Sequence, residues 1–261
     1  MTFRFLGTGT SFGIPVVGCD CAACTSPDPR DQRSRSGALL TSDDGVRVLL
    51  VDAPPELRLQ LLAAHVRHVD AVWITHVHAD HIHGIDDLRV FSAHLGGSVP
   101  AYAPEEAVRV LRHRFNYIFD PGYEPHPGTT TPSIALHVLR AYEPVVVAGF
   151  EALPLPVVHG GMEPYGFRIG ELGYITDAKV LPERTVEALR GVRILVLNAL
   201  WWGHHHPTHF NVEEAIEVAR TIGAERTLLT HLTHRVRHAE LAERLPAGIE
   251  PAYDGLEREV E

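Results

Sequence analysis

The chain has 261 residues, 45% of them apolar and 21% charged, and its formal net charge is −10. No apolar run reaches the roughly 18 residues of a membrane helix. An acidic chain without a Lys/Arg-rich run is also a poor grip for nucleic-acid phosphates. The opening MTFRFLGTGTS lacks the charged and long apolar regions of a signal peptide. The expected compartment is therefore the cytoplasm, where clustered cysteines bind metal more readily than they form disulfides.

In chain order, FRFL (3–6) reads as a short strand that runs into the Gly-rich GTGTSFG. GALLTS and VRVLLVD read as two strands around a DDG turn at 43–45. Pro54 and Pro55 open an amphipathic helix, ELRLQLLAAHV, with proline at the tolerated first turn. AVWIT (71–75) is a short buried strand. HVHADHIHG follows it, and a helix is expected over about 82–93. Another helix is expected over 104–115. The Pro- and Gly-rich segment 119–133 reads as a long surface loop, a lid or substrate rim. Strands return at 134–140 and 150–158, then a hairpin at 165–176. Helix 182–189, strand 193–197, helix 211–222, strand 226–230 and helix 237–244 follow. PAY and LEREV, joined by Asp-Gly, are expected to close the chain as a hairpin. Strands come in pairs and then alternate with helices, twice over. The expected fold is α/β: a four-layer αββα sandwich of two mixed sheets, forming one domain over 1–261.

Chemistry concentrates in 18 histidines, which cluster with acids, whereas Lys179 is the only lysine. His76, His78, Asp80 and His81 form an HxHxDH run directly behind a buried strand. Alternate side chains of an extended segment share a side, so His76 and His78 can hold one ion. A following turn lets Asp80 and His81 face a second. Further ligand types stand at predicted strand ends: His159, Asp177 and His231. His76, His78 and His159 make one three-histidine site, Asp80, His81 and His231 a second, and Asp177 can bridge them. Zinc and manganese both suit imidazole with carboxylate. A bridging water between such ions is a hydroxide nucleophile near neutral pH and suits displacement at phosphorus. Asp80 is expected to be catalytic as well as a ligand. GCDCAAC adds Cys19, Cys21 and Cys24 in a loop at 18–25, one ligand short of a closed tetrahedron.

The HxHxDH run with distant His, Asp and His resembles the metallo-β-lactamase fold superfamily. GTG…P…GCxCxxC (Gly7 to Cys24) and THxHxDHxxGxDDLR (Thr75 to Arg89) are most similar to the cyclic phosphodiesterases of the carbon–phosphorus lyase pathway. The resemblance covers nearly the whole chain. It implies a small phosphodiester substrate, such as a ribosyl cyclic phosphate or cyclic nucleotide, and a homodimer. It also implies a structural zinc held by Cys19, Cys21, Cys24 and His234, with His204 to His206 and His238 as competitors for the fourth place. In WWGHHHPTHF, His209 best matches the family's catalytic histidine and His206 is second. Such a group would bind phosphate or protonate the leaving oxygen. Asn211 and Glu214 form a capping-box pattern for the helix behind. Trp201 and Trp202 are expected in the core rather than stacked on a base, and Arg33 and Arg35 in solvated loops.

Two other readings compete. A tRNA 3′-processing endonuclease would share the metal ligands but needs a basic arm that this sequence lacks. A cofactor-maturation protein of the pyrroloquinoline quinone type shares the cysteine cluster, but not the full histidine run.

Overall fold

The computed structural model describes residues 1–260. Its first sheet holds β1 (Thr2–Gly7), β2 (Gly37–Thr41), β3 (Val48–Val51), β4 (Ala71–Trp73), β5 (Val99–Pro104), β6 (Ile134–Leu139) and β14 (Glu257–Glu259). The second holds β7 (Val145–Val147), β8 (Phe150–Pro156), β9 (Tyr165–Ile169), β10 (Leu172–Ile175), β11 (Ile194–Asn198), β12 (Arg226–Thr230) and β13 (Ile249–Pro251). The orders are β14-β1-β2-β3-β4-β5-β6 and β13-β12-β11-β10-β9-β8-β7. Each sheet is antiparallel on one side and parallel on the other. The direction changes at β3 in the first and at β10 in the second.

The helices are α1 (Leu57–Ala63), α2 (Ala79–Ile82), α3 (Arg89–Leu95), α4 (Glu105–Arg114), α5 (Asn116–Phe119), α6 (Glu183–Leu189), α7 (Val212–Ile222) and α8 (His238–Arg244). No helix among the described residues is long and apolar enough to cross a membrane.

Strand sequences explain the layering. In β3, Leu49 and Val51 face the second sheet, whereas Val48 and Leu50 face the helices. A strand buried on both faces must be apolar at every position, which is why VLLV does not alternate. Ile194 and Val196 likewise point inward from β11, and Leu195 and Leu197 point to the outer helices. Three apolar layers therefore separate four structural ones, as the metallo-β-lactamase αββα fold requires. Trp73, fully buried, donates from Nε1 to the Tyr165 carbonyl at 2.9 Å and ties one sheet to the other. Its ring meets Phe167 edge-on at 5.1 Å.

Four expectations change. The helix foreseen over 82–93 is broken into α2, a 3₁₀ turn at Ile85–Leu88, and α3. The break is steric. Gly84 donates to the Ala53 carbonyl at 2.8 Å, and a Cβ there would lie 2.1 Å from the Pro54 carbonyl oxygen. β5 lies in VPAYAP, whose prolines disguise a strand because they occupy positions near its ends. β7 was not foreseen either. The closing hairpin does not form: β13 joins the second sheet beside β12, and β14 joins the first beside β1. Asp254 accepts from the Thr8 and Ser34 amides at 2.9 and 2.7 Å and from both hydroxyls, which holds its loop against the N-terminal segment. Segment 121–130 is exposed, as a surface loop should be.

The contact at Gly84 yields a test. Gly84→Ala should cost about 1–3 kcal/mol through overpacking, a fall in Tm of roughly 3–10 °C. Gly161, with nothing within 4 Å of a built Cβ, serves as the comparison. Thermal unfolding of both alanine variants checks this, and an unchanged Tm for Gly84→Ala would contradict it.

Candidate metal centre

Strand ends from both sheets converge on one buried cluster. His76 lies just beyond β4, and His78 stands at the N-terminal boundary of α2, which carries Asp80 and His81. The short strand-to-helix turn thus spreads the four side chains over two directions. His159 follows β8, Asp177 follows β10 and His231 follows β12. Asp52, Asp177 and His231 all have left-handed backbone, with φ of 62°, 53° and 56°. Non-glycine residues rarely adopt it, and three at one centre mark a place where side-chain direction overrides backbone comfort.

Candidate ligand atoms fall into overlapping groups within 4.8 Å: His76, His78, His159 and Asp177; Asp80, His81 and His231; Asp177, His209 and His231. His76 Nε2 and His159 Nε2 lie 3.0 and 3.3 Å from His78 Nδ1. One ring nitrogen cannot hydrogen-bond two others in this way. These spacings match the edge of a tetrahedron built on metal–nitrogen bonds of about 2.0–2.1 Å, which is about 3.3 Å. His81 Nε2 and His231 Nε2 lie 3.3 and 3.2 Å from the Asp177 carboxylate, yet neither is aligned for a hydrogen bond. Buried polar atoms are seldom left this way, and a shared cation would satisfy them. The donor set therefore fits divalent metal.

Burial drives His76, His78 and His159 below their ordinary pKa and favours the neutral form that binds metal. Burial opposes ionisation of Asp177, but His231 and His81 outweigh it and hold the carboxyl well below the usual range.

The outer contacts explain how the rings are aimed. His81 Nδ1 meets Asp52 Oδ2 at 2.6 Å, and Asp52 also accepts from the Thr75 amide and hydroxyl. His159 Nδ1 donates to the Thr208 carbonyl at 2.8 Å. Asp52 was not singled out from sequence. Its signal was its place at the end of VRVLLVD, an acid directly behind a buried strand.

A second group is separate. Cys19, Cys21 and Cys24 place their Sγ atoms 3.3, 3.5 and 3.6 Å from His234 Nδ1. Mixed sulfur and nitrogen bonds of about 2.3 and 2.0 Å give a tetrahedral edge of about 3.5 Å. The Cys24 amide and neighbouring thiols hold Cys21 down to about 6, while burial pushes Cys24 up to about 11. A cation between them would remove that resistance to ionisation. Of the competitors for the fourth place, His238 sits with Asp31, whose carboxylate accepts from its amide at 2.6 Å. His204 to His206 lie in the loop before α7.

His209 Nε2 points at Asp177 Oδ1 from 3.0 Å, and its ring stacks on His231 at 4.8 Å. The His206 ring is 5.1 Å from that of His209. Asn211 and Glu214 form the capping box, which frees His209 from capping α7. A cavity of about 420 Å³ adjoins the cluster, with Ser11 and Phe12 on one wall, Trp201 and His206 on another, and Thr233 and Arg235 on a third. No residue of 119–133 lines it. Trp201 is half-buried and packs against the outer core of the second sheet, as does Trp202, with Arg235 over the Trp201 ring. Arg33 is fully buried, bonded to Asp31 and the Val236 carbonyl, not a solvated loop charge.

A model for the beta-lactamase superfamily domain matches residues 47–232. The chain belongs to the metallo-β-lactamase fold superfamily. Within that superfamily it is similar to the crystal structure of a new diphosphatase from the PhnP family. The TM-score is 0.90 and the identity 39%, with 100% of this chain and 98% of that one covered. It is 38% identical over 253 residues to an octanoyltransferase of Porphyromonas gingivalis, across 97% of this chain but only 50% of that protein. The chain thus spans half the length of this curated relative. Zinc-bound PqqB from Methylobacterium extorquens shares the fold, at TM-score 0.81 and 19% identity over the whole of both chains. The chain is a metallo-β-lactamase-fold protein by family, with side-chain groups suited to divalent metal.

The Asp52–His81 contact carries a prediction. Asp52→Asn should keep the fold and weaken metal retention at the His/Asp centre about 10–100-fold, because carboxylate partners orient ligating histidines. Competition against a chelator measures this. Unchanged retention would restrict Asp52 to a structural role.

Proposed function

We propose that this chain is a metal-dependent phosphodiesterase acting on a small phosphodiester, such as a ribosyl cyclic phosphate or cyclic nucleotide. The observation that carries the reading is the place of Asp177, which groups with His76, His78 and His159 and lies 3.3 and 3.2 Å from His81 Nε2 and His231 Nε2, with His209 aimed at the same carboxylate. The PhnP-family diphosphatase supports chemistry at phosphorus. In this reading His76, His78 and His159 would hold one ion and Asp80, His81 and His231 another, with Asp177 within reach of both groups. Cys19, Cys21, Cys24 and His234 hold a third, structural ion. Divalent ions in the open centre would activate water and neutralise charge developing on phosphoryl oxygens. A closed Cys₃His site has no position for substrate, and its thiolates suit a reducing compartment such as the cytoplasm. The proposed partner is a small molecule rather than nucleic acid, and the proposed assembly a homodimer.

The protein's own groups then divide the work. Asp80 and Asp177 would supply the charge that balances the ions, and burial favours the neutral, metal-binding form of His76, His78 and His159. His209 presents an imidazole at the edge of the centre, beside the cavity, where it would bind a phosphoryl oxygen or protonate the departing alkoxide. His206 stands one ring further out and is the alternative donor.

His209→Ala should retain its metal, fold normally and lose turnover by about 10²–10⁴-fold on a diester with a poor leaving group. The loss should be much smaller for a nitrophenyl ester, which needs little protonation. Parallel assays of His209→Ala and His206→Ala on both substrate types decide between the two histidines. Loss of metal from His209→Ala would make it a ligand instead, and equal small effects on both substrates would remove it from the reaction.

A further inference from the structure

A second cavity, of about 480 Å³, lies in the outer helical layer and shares no lining residue with the His/Asp centre or the cavity beside it. It opens between α1 and α3, and both present the same pattern to it. Arg58, Leu61 and Leu62 come from α1, with His65 just beyond its end. Asp87 comes from the 3₁₀ turn, and Val90, Phe91 and His94 from α3. Each set is spaced i, i+3, i+4, i+7, which is one helical face. In each, an apolar pair stands between a charged residue and a histidine. Leu61 and Phe91 are buried as a floor, whereas Leu62 and Val90 remain 58% and 51% exposed. Two apolar stripes thus line one groove open to water.

The rim is cationic in an otherwise acidic chain. Arg67 adds a second guanidinium to that of Arg58, and neither has a hydrogen bond or ion pair among the described residues. The Asp87 carboxylate has none either. Two guanidinium groups against one carboxylate leave a single net positive charge here, while the whole chain stands at −10.

His65 adds an independent sign. The end of α1 closes with the Val66 amide on the Leu61 carbonyl at 3.0 Å and the His65 amide on the Leu62 carbonyl at 3.1 Å. This motif needs left-handed backbone at His65, whose φ is 54°. Glycine is the usual residue there, and α3 and α7 do end on Gly96 and Gly223. The His65 ring makes no hydrogen bond or ring contact that would account for the choice. What the strained residue gains is an imidazole on the groove rim.

We infer that this groove binds a medium-chain alkyl carboxylate, with its tail on the apolar stripes and its head at the arginines. A guanidinium fork matches a carboxylate. The single net charge of the rim suits a monoanion better than a phosphate dianion. The volume lies in the range of small-ligand sites of roughly 300–1,000 Å³ and suits one chain. The inference is independent of the phosphodiesterase reading.

Calorimetric titration of metal-loaded native protein with decanoate, below its micelle concentration, tests it. Saturable binding with a Kd of about 1 mM or tighter is expected for a ligand of this size. Decylammonium, the same tail with the opposite charge, should bind about 10-fold more weakly or worse. The double variant Arg58→Gln, Arg67→Gln should lose about 10–100-fold in decanoate affinity and its preference between the two heads. Val90→Gln should weaken both ligands. All three positions are exposed, so the variants should fold normally. Decanoate held at the metal centre instead would bind the double variant undiminished. That result, no saturable binding by the native protein, or tighter binding of decyl phosphate than of decanoate would overturn the inference.

Discussion

A carboxylate with 1% exposure, faced by His81, His209 and His231 at 3.0–3.3 Å, is the constraint around which the structure is organised. Asp177 follows a strand of the second sheet and His81 lies on α2, behind a strand of the first, so the strand ends of the two stacked sheets must come together at this point. The interlayer core makes that possible. Trp73 and Tyr165 lock β4 to β9, and Tyr165 donates from its amide to the Thr75 carbonyl at 3.0 Å, one residue before His76. The left-handed backbone at Asp52, Asp177 and His231 is the local cost of aiming these side chains, and the apolar layers on both faces of each sheet offset it.

The same arrangement links the two metal-type groups without merging them. The N-terminal loop runs from β1 past Thr10 and Val16 to the cysteines, and the segment after β12 runs from His231 to His234 within one turn. Leu232 donates to the Thr8 carbonyl at 2.9 Å, and the Val16 amide approaches Cys24 Sγ at 3.3 Å. The cavity opens between these two segments. A closed ion at the cysteine group would therefore hold one wall of the substrate site in place from behind. The cysteine group and the His/Asp centre share a boundary here, and Arg235 stands on it.

Much of the candidate centre was legible in the sequence because its side chains sit where strands end. An apolar run followed by His or Asp places that side chain at a strand end, and this reasoning picked out His76, His159, Asp177 and His231, which the fold brings together. Burial on both faces made β3, β4, β11 and β12 easy to see. The misses share a physical cause: long-range partners outbid local signals. Asp-Gly at 254–255 looks like a hairpin turn, but Gly255 donates to the Phe5 carbonyl and Asp254 holds Thr8 and Ser34, so the flanking strands part to different sheets. Gly84 breaks an otherwise helical stretch because Pro54 approaches it. Arg33 looked like a loop charge, yet Asp31 and Val236 bury it. Asp52 escaped notice because its role lies in aiming His81, not in a ligand spacing.

The central claim is that two divalent ions share Asp177 while a third is closed off by Cys19, Cys21, Cys24 and His234. Elemental analysis of gently purified protein tests it most directly. The native chain should approach about three ions, and Cys21→Ala about two with a lower melting temperature, because a closed thiolate site contributes its binding energy to folding. A reproducible content of about one ion or fewer in the native chain, or a Cys21→Ala variant with undiminished content, would contradict it.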